Sequence, residues 1–292
     1  MLNDYLVRAT GLGGKVRLFA ARTTGVVEEI RRRHDMFPTA AAAVGRTATA
    51  AAMMGAMLKG EEKVTIQVKG DGPLGQIVAD ANAKGEVRAY ADNPQTHLPS
   101  NRLGKLDVAG AVGTEGFIYV IKDLGLREPY RGSIPIVSGE LAEDFTYYFA
   151  KSEQTPSAVS LGVLVDVDYS VKEAGGLILQ LLPGLSDEEI TELEKRLQHI
   201  PAVTSMLERG LTPEDMMREL VDELSSVERL DLRFQCFCSR ERVSNTLVSL
   251  GKEELDAIIE GEGAAEVVCH FCNEKYVFDK SELTTLRQRL DA

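Results

Sequence analysis

Every cysteine of this 292-residue chain lies beyond residue 235: Cys236 and Cys238 form a C-x-C pair, and thirty residues on Cys269 and Cys272 form a C-x-x-C pair. Two close pairs at this separation can bring four thiolates to one point, the tetrahedral donor set that Zn(2+) favours. Four cysteines are too few to staple a chain of this length by disulfides. In an extended strand the two members of C-x-C project from one face with Cα atoms ~6.6–6.8 Å apart. That spacing suits two ligands of one ion. It lies at the upper edge of the ~4.4–6.8 Å disulfide range, so bridging this pair requires a kink in the strand. His270, between two of the sulfurs, is an alternative donor, although four thiolates fill the shell without it. The expectation is one zinc per chain, bound by Cys236, Cys238, Cys269 and Cys272. Four thiolates leave no open position for a substrate, so no enzyme is expected.

The surroundings of the cysteines support such a site. Glu266–Val268 and Tyr276–Phe278 read as the arms of a hairpin whose tip carries Cys269 and Cys272, with Asn273 suited to a positive φ there. Helical patterns cover Ser239–Leu250 and Lys252–Glu260, and Asp279 with Glu282 caps a last helix. A unit of ~60 residues is marginal on its own core. Metal binding then supplies folding energy, about 10–16 kcal/mol in small zinc peptides. Loss of the thiolates should therefore unfold the unit rather than adjust it. Arg233, Arg240, Arg242 and Lys275 are expected to favour thiolate at the site.

The remainder divides in two, and the whole is expected to be α+β. Residues 1–183 read as a mixed α/β domain. Strand patterns occur around Val16–Ala20 and at Val64–Lys69, Gln76–Ala81, Glu86–Ala91, Phe117–Lys122, Tyr130–Val137, Ser160–Val167 and Leu177–Leu182. Thr24 is expected to cap a helix ending in Arg31, Arg32, Arg33 and His34, where cations meet the negative end of the dipole. Glu140–Lys151 reads as another helix. The stretch from Pro38 to Leu58 is rich in Ala, Gly, Met and Thr, with Arg46 near its middle. Its side chains are small rather than strongly apolar, so a buried helix is expected and not a membrane span. Gly70, Gly72 and Gly75 satisfy G-x-G-x-x-G, but a strand pattern follows where dinucleotide binding needs a helix, so a hairpin turn is expected.

After Pro183-Gly184 the composition changes. Residues 185–230 hold twelve Asp and Glu against five Lys and Arg, more than half of the chain's net charge of −12. Ser186 with Glu189 makes a capping box before Ile190, Leu193 and Leu197, and Thr212-Pro213 starts a second helix carrying Met216, Met217, Leu220 and Leu224. Helices this short need a surface to dock on. The segment 184–231 is therefore expected to be a conditionally folded amphipathic linker, and 232–292 the metal-binding domain. No apolar run interrupts Asp4, Arg8, Lys15 and Arg17, so no secretory signal is visible and a cytoplasmic location is expected.

The four cysteines in this arrangement, together with GDGPLG at 70–75, PYRGSIPI at 129–136 and SEQTPSAVSLGV at 152–163, resemble the redox-regulated thirty-three-kilodalton heat-shock chaperone family of bacteria. The likeness spans essentially the whole chain. It implies an ATP-independent holdase that is silent when reduced and zinc-bound. In such proteins peroxide with heat, or hypochlorite, converts the ligands to disulfides between neighbours, here Cys236–Cys238 and Cys269–Cys272, and expels zinc. The zinc unit and then the linker unfold, a homodimer is favoured, and unfolding client proteins are held. A competing reading is a zinc ribbon with a purely structural ion, acting as a nucleic-acid or protein interaction module. Against nucleic acid, residues 232–292 carry eight Lys and Arg and eleven Asp and Glu, and a protein this acidic is not expected at anionic membranes either.

Overall fold

The computed structural model describes residues 3–290, in two units, Met1–Gln235 and Cys236–Ala292. The first unit contains β1 (Tyr5–Gly11), β2 (Val16–Arg22), α1 (Thr24–His34), α2 (Pro38–Gly55), β3 (Lys63–Gly70), β4 (Gln76–Asn82), β5 (Glu86–Ala91), α3 (Val108–Val112), β6 (Gly116–Asp123), β7 (Tyr130–Pro135), α4 (Ala142–Lys151), β8 (Ser157–Val165) and β9 (Val171–Leu181). It continues with α5 (Asp187–His199), α6 (Val203–Glu208), α7 (Pro213–Arg218), β10 (Ser225–Asp231) and β11 (Arg233–Phe234). The second holds α8 (Arg240–Ser249), α9 (Lys252–Glu260), β12 (Ala264–Val268), β13 (Lys275–Asp279) and α10 (Lys280–Gln288). The fold is α+β, as the pattern predicts.

The core of the first unit is built around α2. A five-stranded sheet runs β10-β1-β2-β9-β8 and a six-stranded sheet runs β11-β5-β4-β3-β6-β7. Every residue of α2 except Arg46 is buried, in a core that draws on both sheets. Small side chains make this possible, because a helix walled in on all sides leaves little room around it, and Ala and Gly fill most of its positions. At Gly45 even a methyl group would stand 2.6 Å from Val27 and 2.9 Å from Val163. Arg46 reaches out to pair with Glu140 at 3.0 Å. Among the described residues no helix is long and apolar enough to cross a membrane.

The GDGPLG motif is a turn between antiparallel β3 and β4, with Lys69 opposite Gln76. Its glycines are dictated by close approach: a Cβ at Gly70 would lie 1.9 Å from the Val112 carbonyl oxygen. The N–H groups of Gly72 and Leu74 instead donate to Val112 and Ala111 at 3.0 Å. The motif therefore seats α3, and a strand rather than a helix follows it. The basic run of α1 is neutralised in place, Arg31 pairing with Glu28 and both Arg32 and Arg33 with Glu29. Thr24 does not cap α1. Its hydroxyl bonds to Glu173, and the Val26 N–H at the helix start is taken at 2.6 Å by the carboxylate of Asp4.

Before α4, the fully buried carboxylate of Asp144 accepts the N–H groups of Val137, Ser138 and Leu141 at 2.6–3.0 Å. Three donors to one buried anion hold this turn closed. Removing the acceptor by Asp144→Ala orphans three donors and is expected to cost about 4–5 kcal/mol, the low end of three hydrogen bonds to a charged group at ~1.5–3 kcal/mol each. Urea unfolding of the first unit would measure it, and a loss below 1 kcal/mol, far under this range, would contradict this role.

The acidic segment is folded. Ser186 and Glu189 form the expected reciprocal capping box, as do Thr212 and Asp215. Leu193, Val203, Met206, Leu207, Met216, Met217, Leu220 and Val221 are buried on one face of the five-stranded sheet against Val7, Val16, Leu18, Leu177 and Leu179. α7 ends at Arg218, short of Leu220 and Leu224. α6 and the strand β10, paired antiparallel with β1, are not announced by the sequence. β10 is an exposed edge, so its side chains show no apolar alternation.

Candidate metal centre

In the second unit the hairpin β12–β13 pairs Val268 with Lys275, placing Cys269 and Cys272 at its tip. The tip closes by Cys269 N–H donating to Glu274 at 2.9 Å and Asn273 N–H to Cys269 at 2.8 Å. Asn273 takes φ 58°, the left-handed conformation that Asn tolerates. Cys236 and Cys238 precede α8, whose N-terminus is capped by Ser239 through the Arg242 N–H. α8, α9 and α10 pack Val243, Leu247, Leu255, Leu283 and Leu286 against Phe278 of the hairpin.

The four sulfurs converge. All lie within 4.8 Å of one another, with Cys236 3.7 Å from Cys269 and Cys238 3.2 Å from Cys272. All four cysteines are free thiols. Sulfurs arranged tetrahedrally about an ion at ~2.3 Å would stand ~3.8 Å apart. The set therefore fits a thiophilic metal ion with little movement. His270 is exposed and is not part of it. The spacing had left it as an alternative donor; Cys272, buried, occupies that place.

The thiols influence one another strongly. Burial opposes ionisation of Cys236, yet the Cys238 N–H and the neighbouring sulfurs bring it down to about 7. Burial pushes Cys269 up, and burial with the adjoining sulfurs pushes Cys272 up further. The Cys236 thiolate thus forms more readily than those of Cys269 and Cys272. A bound cation reverses the upward shifts by taking the place of the thiol protons.

The basic residues expected to favour thiolate are engaged elsewhere. Arg240 pairs with Glu282 and donates to the Val277 carbonyl, Lys275 pairs with Glu266, Arg233 pairs with Glu86, and Arg242 donates to the Phe237 carbonyl. Sulfur chemistry here is governed by burial, N–H donors and the cluster itself. One participant has no sequence signal: the Tyr276 hydroxyl donates to Cys238 Sγ at 3.2 Å.

Comparison with known proteins follows the same outline. The sequence model of the Hsp33 protein family matches residues 4–279. The chain is 57% identical to a 33 kDa chaperonin of Brevibacillus brevis over 283 residues, covering 97% of this chain and 98% of the relative. It is 54% identical to a 33 kDa chaperonin of Bacillus subtilis over 287 residues, covering 98% and 99%. The crystal structure of a 33 kDa chaperonin (heat shock protein 33 homolog) from Thermotoga maritima matches with a TM-score of 0.93 at 39% identity, covering 99% of this chain and all of the other. Fold, four-sulfur cluster and relatives together define a chaperone rather than an enzyme. The chain belongs to the Hsp33 family.

Proposed function

We propose that this chain is a redox-regulated, ATP-independent holdase of the cytoplasm, and that Cys236, Cys238, Cys269 and Cys272 are both its zinc ligands and its switch. The observation that carries the reading is the convergence of four free thiols within 4.8 Å in a unit with a small apolar core. Four sulfur donors at near-tetrahedral separations favour zinc over harder cations, and a closed shell favours a structural ion over a catalytic one. Bound zinc supplies folding energy to this unit when the thiols are reduced.

Oxidation removes that support. A disulfide forms when a thiolate attacks hydrogen peroxide and releases hydroxide, and a second thiolate displaces hydroxide from the resulting sulfenic acid. Each bridge consumes one peroxide, so two bridges release one zinc. The resemblance supplies the pairing, Cys236–Cys238 and Cys269–Cys272. Three working parts follow: a core at 1–183, a conditionally folded segment at 184–231 and a switch at 232–292. Unfolding passes from the switch to the acidic segment, which frees the apolar sheet face under α5–α7 for unfolding client proteins. Dimerisation accompanies this active state. The acidic balance of the chain supports proteins as partners, and neither nucleic acid nor membrane.

Titration with peroxide, following zinc with a chromogenic chelator and mapping bonds by mass spectrometry, tests the switch. One zinc per chain should be released as the two neighbour bridges appear. Retained zinc after full thiol oxidation of a zinc–thiolate standard contradicts the switch. Bridges formed instead between Cys236 and Cys269 or between Cys238 and Cys272 overturn the pairing.

A further inference from the structure

Tyr276 stands in β13 opposite Val267, and the hairpin carries its side chain to a cysteine thirty-eight residues away in sequence. The sulfurs of the cluster differ in what donates to them. Cys236 takes the N–H of Cys238, Cys269 takes those of Cys272 and Phe271, and Cys272 takes that of Glu274. Cys238 receives the Tyr276 hydroxyl. A main-chain donor is fixed by the loop that holds the ligand, whereas a side-chain donor can vary without changing the ligand set.

We infer that Tyr276 is a positioning residue of the metal centre, whose hydroxyl donates to Cys238 and sets how readily that sulfur reacts. The inference rests on the thiolate reading of the centre proposed above. Four thiolates about a dication leave two surplus negative charges, and donors to sulfur spread that charge. Hydrogen bonds to sulfur are among the levers by which proteins tune metal–thiolate centres. The same lone pairs attack peroxide: the Cys238 sulfur bonds to one oxygen, the O–O bond breaks, and hydroxide leaves. A hydroxyl donating to those lone pairs competes with the attack, so Tyr276 restrains Cys238 at low oxidant.

The test uses the full chain loaded with Co(II). Tyr276→Phe keeps the ring and removes the donor, and 3-fluorotyrosine installed at 276 alone keeps the shape and strengthens it. In Tyr276→Phe the sulfur-to-cobalt charge-transfer band should move to longer wavelength, and metal affinity should fall about tenfold. Peroxide-driven metal release should quicken about threefold, the response to a tenfold rise in sulfur basicity at a Brønsted slope of ~0.4–0.5. The fluorinated residue should shift the band and the release rate in the opposite directions, which keeps the test decisive if the Phe variant folds poorly. Unmoved band and rate in both variants overturn the inference. So does faster release with an unmoved band, because packing alone would produce it. A wild-type chain with no cobalt–thiolate band overturns the metal centre, and this inference with it.

Discussion

Stripping metal from the reduced chain is expected to unfold the second unit while the core at 1–183 stays folded. The second unit buries Val243, Leu247, Leu255, Phe278, Leu283 and Leu286 as its apolar core. At this size such a core rarely supplies more than ~3–5 kcal/mol. The bound ion is expected to add about 10–16 kcal/mol, well above what this core supplies. The four sulfurs tie the irregular segment before α8 to the hairpin tip, so their release severs the two ends of the unit. Amide hydrogen exchange after chelation should show lost protection across α8, α9, β12, β13 and α10. Protection in α2 and in β2, β3 and β9 should persist, because those elements bury their side chains in a separate core. Undiminished protection in α10 after complete metal removal would contradict the expectation.

The second large effect concerns the docking of the acidic segment. Leu207, on the inner face of α6, is 1% exposed, packed so closely to the sheet that a Cβ at Gly175 would stand 2.8 Å from it. Leu207→Ala leaves a cavity at this seam and should cost about 2–5 kcal/mol. α6 and α7 have six residues each and cannot persist alone. The cost should therefore appear as local opening of residues 187–231 rather than as global unfolding, since α2 covers the opposite face of the same sheet. Exchange in 187–231 should accelerate while the four thiols keep their metal. Under the proposed function, this variant suppresses client aggregation without oxidant. Equal acceleration throughout the first unit would show that the segment is not a separate cooperative unit.

What could be read from sequence follows from where the physical signal lies. The cysteine set is legible because ligation demands particular residue types at particular spacings, and Cys236, Cys238, Cys269 and Cys272 meet in space as their spacing implies. The buried α2 is legible from composition, and the capping box at Ser186 and the helix start at Thr212-Pro213 from local backbone chemistry. β10 is not, since an edge strand with Ser225, Glu228 and Asp231 exposed has no apolar face to reveal it. Nor is Asp4 as the partner of Val26, a contact made across twenty-two residues. Tyr276 escapes for the same reason: only the hairpin register brings it to Cys238. The cations near the cysteines mislead, because proximity in sequence says nothing of the carboxylates that claim Arg240 and Lys275.

The central claim is that one set of sulfurs clamps the fold and triggers the activity. Light scattering of a thermally unfolding client reads it most directly, with reduced zinc-loaded protein in one arm and peroxide-treated, zinc-depleted protein in the other. The account predicts free aggregation in the first arm and suppression near one chain per client in the second, reversed when thiols and zinc are restored. Equal suppression in both arms, or none in either, would contradict it.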